Sequence, residues 1–421
     1  LKHLVIILML LSIIMSTNAY SGDVEVSGQI RYRFEMNNKD FNEDTAGNNS
    51  AFLRSRLGLK FDPADDVTAF IQVQDSRISG EERNPDNSKE GTLADGMADR
   101  IDFHQAYVTI NNLHGHEGMS FSIGRMEVAY GGQRLMGAVG WHNIGRSFDG
   151  LKFGMKLGMA SIDLFNFKTF EGGALGDSSD SNVYGVHADL DIDPCGTTQV
   201  FLFHEQDTPT QTLKRSTLGL YRHGMVGNAM TYEVDAAYQL GTAGVDTAGT
   251  DIDVAAMMVG VRFNYSLMDM FASPMITVGY DLVSGDDGSD PLENTAFNTL
   301  FATNHKFYGY MDYFLNIPAH TGNLGLTDIV VGLKASPMPD HMVKVDFHIF
   351  NTAEDYTLTD SSGSTATDLG TEIDITLARK YNSNVKFVLG ASFFTPGDVM
   401  KEMKGNEDSA SWFYWMAVIK F

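Results

Sequence analysis

Cysteine is almost missing from this chain: Cys195 is the single one among 421 residues. A lone thiol cannot close an intramolecular bridge, so the fold is not a disulfide scaffold. Proline is scarce at 10 residues, which leaves long stretches free to run as uninterrupted strands. Basic residues are outnumbered, with 30 Lys and Arg against 54 Asp and Glu, for a net charge of -24. A phosphate-binding surface needs clustered cations, so no nucleic-acid partner is expected. Beyond Met15 no apolar run approaches the roughly 20 residues of a membrane-spanning helix, and the mean hydropathy is -0.14. Those two facts leave a membrane barrel open, because a barrel strand shows lipid only one face.

The first residues carry an address. Lys2 precedes an apolar run from Leu4 to Met15, and Thr17-Asn18-Ala19 offers a small-x-small cleavage site. This predicts a signal peptide over residues 1–19, cut after Ala19, and a mature domain over 20–421. Acidic residues gather at Asp40 to Asp44, Asp177 to Asp180 and Asp286 to Asp290, as solvated loops would. No linker divides the chain, so its length points to one large barrel rather than several soluble domains.

From Glu25 onward the chain alternates. Val26, Ile30, Tyr32 and Phe34 share one face, while Gln29, Arg31, Arg33 and Glu35 share the other. Leu57, Leu59 and Phe61 oppose Arg54, Arg56 and Lys60 in the same way, and Val343, Val345 and Phe347 oppose Lys344, Asp346 and His348. Such strands have an apolar face for lipid and a polar face for water. Aromatic residues near strand ends (Tyr32, Phe34, Tyr130, Tyr221, Tyr238, Phe263, Tyr265, Tyr280) suit two interfacial girdles. Strand starts fall near residues 24, 51, 67, 99, 119, 146, 159, 182, 197, 213, 230, 253, 275, 324, 342, 369, 384 and 410. The expected fold is therefore all-β: a single transmembrane antiparallel up-and-down β-barrel of about 18 strands. Short turns such as 62–66 and 381–384 alternate with long connections such as 80–98, 129–145 and 285–323. An even total with that alternation puts both termini on the short-turn, periplasmic side. The last strand carries Phe413, Trp415, Ala417, Ile419 and Phe421 on one face. That ending is similar to the carboxyl-terminal signature read by the outer-membrane assembly machinery, an expected partner besides lipid.

One segment is more specific. Gly124-Arg125-Met126-Glu127 leads through Tyr130-Gly131-Gly132-Gln133-Arg134-Leu135 to Trp141, Asn143 and Gly145-Arg146-Ser147-Phe148-Asp149-Gly150. A second runs through Gly279-Tyr280-Asp281, Ser284-Gly285-Asp286, Phe297, Leu300-Phe301, Asn304-His305, Tyr308-Gly309 and Asp312. Both blocks resemble the alginate-export porin family, with Met126-Glu127 replacing its usual polar pair. The Arg31-x-Arg33 and Arg54-x-Arg56 pairs also stand where such proteins carry arginines. The resemblance implies a monomeric 18-stranded pore of the Gram-negative outer membrane, whose archetype passes an anionic polysaccharide through an arginine-lined constriction.

The alternation itself turns Arg31, Arg33, Arg54, Arg56 and Lys60 inward from two adjacent strands, and Lys152 with Lys156 inward from the strand after Arg146. Arg125, Arg134 and Arg146 lie at strand–loop boundaries where facing is not fixed; Asp149 suits them as a partner. A guanidinium holds a carboxylate with forked geometry and stays charged, so a basic ladder would favour a hydrophilic anionic solute, although a neutral one could also pass. Bracing of the wall by pairing with Glu25, Glu35, Glu233, Asp235, Glu372 and Asp374 is the alternative use of the same residues. The acidic loops favour a second function, a general or cation-preferring diffusion porin. The middle of the 285–323 connection, Phe307 to Phe314, could fold into the lumen or form another strand pair. No cofactor fingerprint and no nucleophile motif of an enzyme is found. His114-Gly115-His116-Glu117 and Asp286 to Asp290 only resemble metal ligands in composition.

Overall fold

A computed structural model describes residues 24–79, 99–171, 180–192, 195–208, 212–359 and 363–421. The expected signal peptide lies outside the described residues. The first six strands are β1 (Val24–Asn38), β2 (Asn48–Ala64), β3 (Val67–Ile78), β4 (Asp99–Asn111), β5 (Ser120–Met126) and β6 (Phe148–Leu157). The next six are β7 (Ala160–Phe170), β8 (Asp180–Leu190), β9 (Gly196–Thr208), β10 (Leu213–Val226), β11 (Met230–Val245) and β12 (Asp251–Ser266). The ring is completed by β13 (Met275–Val283), β14 (Leu326–Ala335), β15 (His341–Thr357), β16 (Thr365–Lys380), β17 (Val385–Pro396) and β18 (Ala410–Lys420). Each pairs antiparallel with its neighbours in chain order, and β18 closes on β1 from Gln29↔Lys420 to Asn38↔Ser411.

The chain is thus a closed 18-stranded antiparallel barrel. Closure removes the unpaired edge that an open sheet would present to hydrocarbon. Phe421 completes the seam. Its backbone exchanges two hydrogen bonds with Gly28, at 2.8 and 3.1 Å, and its ring covers the Gly28 backbone so closely that a methyl there would overlap it.

The outer face carries the apolar half of each alternation. Val26, Ile30, Leu57, Ile123, Leu218, Tyr238, Phe263, Tyr280, Leu333 and Trp415 are all exposed, while Arg31, Arg33, Arg54 and Glu372 are buried. This inverts a soluble sandwich and suits a lipid-facing wall. Two of the aromatics expected in the girdles are not there. Tyr130 stacks on His187 inside, with centroids 4.0 Å apart, and Tyr221 packs inward against Gly131 and Gly132. Tyr130 belongs to a loop rather than a strand, and Tyr221 takes the inward parity of Thr217 and Gly219 on β10.

Candidate functional site

Two long connections, both at the rim opposite the chain termini, turn into the barrel. The first joins β5 to β6 over residues 127–147, and the second joins β13 to β14 over 284–325. Their apolar side chains are what draws them in. Val128, Leu135 and Met136 of the first join Phe148, Phe165, Phe167 and Phe203 in one buried cluster. Phe297, Phe307, Met311, Phe314 and Ile317 of the second reach the same cluster near Phe350 and Phe394. The long connection is thus a lumen loop, not a strand pair; its only ladder is Glu293–Asn294, two residues beside β12.

The loops are fastened to each other by backbone hydrogen bonds. Gly137 donates to Phe301 at 2.9 Å, Phe301 to Leu135 at 2.8 Å, and Thr303 to Gln133 at 2.9 Å. Arg146 fixes this junction, with Nη1 donating to the carbonyls of Phe301 and Ala302. Burial pushes the Arg146 guanidinium down to about 10, which still leaves it charged at neutral pH.

The inward arginines of β1 and β2 meet the first loop. Arg31 donates to the carbonyls of Gly140 at 2.9 Å and His142 at 3.1 Å. Arg54 reaches the same two oxygens at 3.2 and 3.0 Å, and holds Gln29 at 2.7 Å. Arg33 donates to the Trp141 carbonyl at 2.7 Å and pairs with Glu35 at 2.6 Å. Arg56 donates to the Ile144 carbonyl and pairs with Glu127, both at 3.0 Å. Four guanidiniums therefore grip the backbone of residues 140–144, a run of acceptors that a loop outside regular structure leaves free. Lys60 stands apart, in an exposed pair with Glu25.

The remaining expected residues divide. Arg134 is buried between Asp235 at 3.2 Å and Asp281 at 2.7 Å, and Arg262 also reaches Asp281 at 2.8 Å. Burial alone would lower the Arg134 pKa, but Asp281, Tyr308 and Asp235 outweigh it and raise the value. Lys152 pairs with Asp163 at 3.3 Å. Both line a polar cavity of about 400 Å³ below Tyr130, together with Lys156, His187, Asp189 and Gln199. Arg125 and Asp149 form a forked pair at 2.8 and 2.7 Å, but on the outer face. Arg125 shares the parity of exposed Ile123, and Asp149 that of exposed Leu151. Their facing, which the sequence leaves open, is therefore outward, and neither belongs with the lumen candidates.

Beyond β17 and β18, on β16, the second loop rests on carboxylates. Met311 N–H donates to Glu372 at 2.8 Å, and Tyr310 N–H to Asp374 at 3.2 Å. Asp328 holds His348 at 2.9 Å. The lumen thus has a basic wall at β1–β2 and an acidic wall at β14–β16, with both loops between them.

The arginines are legible in the sequence, whereas their acceptors, Gly140 to Ile144, are not. A signal was present: residues 128–147 contain no acidic residue, unlike the solvated loops, and they include Leu135, Met136, Val139 and Trp141. Among the described residues no cluster of His, Cys, Asp and Glu is arranged to hold a metal ion.

The family model for alginate export matches residues 23–413. No curated protein matches the sequence. The barrel is similar to Acinetobacter baumannii OccAB1, at TM-score 0.64 and 11% identity, covering 96% of this chain and 98% of that one. It is also similar to Pseudomonas aeruginosa OccK11 (OpdR), at TM-score 0.60 and 12% identity, covering 95% of this chain and 96% of that one. At such identities the likeness speaks for the fold alone.

Proposed function

The chain belongs to the alginate export family, and from that premise we propose that it is a passive outer-membrane channel preferring hydrophilic, anionic solutes, including acidic oligo- or polysaccharides. A channel of the porin type is what family and fold support in general; the anion preference is our reading. The observation that carries it is the chemistry around Arg31, Arg54 and Arg146. Their partners are carbonyl and amide oxygens, and among the described residues none of the three has a carboxylate within salt-bridge distance. A carbonyl dipole orients a guanidinium without cancelling its charge. Positive potential therefore extends through the loop to the lumen surface at exposed Gly140 and half-buried His142. Behind a low-dielectric loop such a field is screened less than at an open surface. An anion would be drawn to the constriction without touching the buried arginines, and weak, distributed attraction suits passage better than tight binding.

A second reading is favoured by the carboxylates of β13 to β16. Asp281, Asp328, Asp346, Glu372 and Asp374 are all buried there, and together with the acidic loops they suit a general or cation-preferring diffusion porin. Reversal potential in a planar bilayer under a salt gradient decides between the two. A potential of the sign set by anions supports the proposal, and one set by cations sinks it. We propose three further assignments. Residues 1–19 act as the export signal for a barrel over 20–421, Phe421 is read by the assembly machinery, and the barrel works as a monomer.

A further inference from the structure

Five side chains form a single stack across the lumen. The Arg33 guanidinium, on β1, lies 4.2 Å over the Trp141 ring. Trp141 stacks on His305, centroids 4.5 Å apart and planes 10° apart. His305 stacks in turn on Tyr310 at 5.1 Å and 20°. Lys344, on β15, stands over Tyr310 at 5.6 Å and donates to its hydroxyl at 3.3 Å. Each joint is of a kind that attracts, cation over ring or offset ring on ring. Asp312 keeps the middle ring in place by a 2.6 Å contact to His305 Nδ1. Gly309, at φ +77°, lets the chain pass directly against Glu372, so that Tyr310 is held at the right height.

The stack is a chord. It runs from β1 to β15, and the wall it cuts off is made of β16, β17 and β18. That sector is shut off from water: Glu372, Asp374, Ser392, Phe394, Trp412 and Tyr414 are all buried there, and Trp141 packs edge-on against Trp412 and Tyr414 at 5.8 and 5.0 Å. The polar cavity lined by Lys152 and Asp163 lies against β5 to β9, on the other side of the chord.

We propose that the Trp141–His305–Tyr310 stack is the size-determining element of this channel, sealing the β16–β18 sector and confining solutes to the side of Lys152 and Asp163. One ring comes from the first inward loop and two from the second, so the stack also locks the loops to each other. Removing any ring opens the chord. This inference rests on the channel reading above but not on its ionic preference, since neutral solutes obey the same size limit.

The test is single-channel conductance with neutral polyethylene glycols of graded size, using the full barrel assembled in membranes. Trp141→Ala and Tyr310→Ala should each raise conductance about twofold and admit larger polymers, while Trp141→Phe, which keeps a ring, should stay near the parent. The double variant Trp141→Ala/Tyr310→Ala should exceed neither single by much, because both open the same chord. Unchanged conductance and polymer cut-off in all the alanine variants would overturn the proposal, as would additive effects in the double variant. A closed parent with a conducting Trp141→Ala variant would support the stack and sink the open-channel reading. A closed parent with closed variants would overturn both. Resistance of the folded band to detergent at room temperature shows that each variant has closed its barrel.

Discussion

Arg31 and Arg54 face each other directly across β1 and β2, and both close on the carbonyl oxygens of Gly140 and His142. Like charges opposed on neighbouring strands ordinarily repel and destabilise a sheet. Here shared acceptors hold them together, so the same contact anchors a loop and leaves two charges uncancelled.

Charge and anchoring can be separated at this pair. Arg31→Lys/Arg54→Lys keeps both charges but loses the forked donors. It should retain anion preference in reversal potential while conductance becomes noisier as residues 140–144 loosen. Arg31→Gln/Arg54→Gln should shift the reversal potential toward cations. No shift in the glutamine pair would remove the basis for the anion proposal.

Arg125 supplies the opposite control. It lies on the outer face with Asp149, so Arg125→Ala should leave reversal potential and polymer cut-off at parent values. A clear change in selectivity would mean that its charge acts through the wall.

Glu35 receives Arg33 at 2.6 Å and the Trp412 indole N–H at 3.0 Å, almost out of contact with water. Glu35→Gln leaves the Arg33 charge buried beside a neutral amide, which should cost about 3 kcal/mol of stability. Urea unfolding of the barrel in detergent measures it, and a loss well under that figure would mean that the Trp141 ring and carbonyl already satisfy Arg33.

At Gly28 a side chain would have to displace the Phe421 ring, which occupies that space. Gly28→Val should destabilise closure by about 2 kcal/mol, as overpacking does, and lower the yield of heat-modifiable barrel. Phe421→Ala tests recognition apart from packing: it relieves the crowding but should still slow assembly in cells while refolding in detergent proceeds normally.

His142 carries the pH dependence of the constriction. Burial, then Arg33 and Arg31 nearby, hold its imidazole below the ordinary value, so it is neutral at pH 7. Protonation adds positive charge, so anion preference should rise as pH falls, and only below the usual histidine range near about 6.5. His142→Gln should abolish that rise, and a parent whose selectivity titrates at or above the usual value would contradict the assignment.

The alternation of Ile30, Tyr32, Leu57 and Leu59 against Arg31, Arg33, Arg54 and Arg56 determined, from sequence alone, the barrel, its strand number and which way the β1–β2 arginines point. That is because a strand's period of two is a local property and lipid on one side makes it legible. The same rule carries as far as Arg125, which keeps the outward parity of Ile123, and runs out at Tyr130, which lies beyond the end of β5. Only the tertiary structure decided that residues 127–147 turn inward, that the arginines hold carbonyls rather than solute, and that Trp141 meets His305 and Tyr310. Loops have no periodicity to read, and their course is set by which distant surfaces they can bury: here Phe148 with Phe167 on one side and Trp412 with Tyr414 on the other.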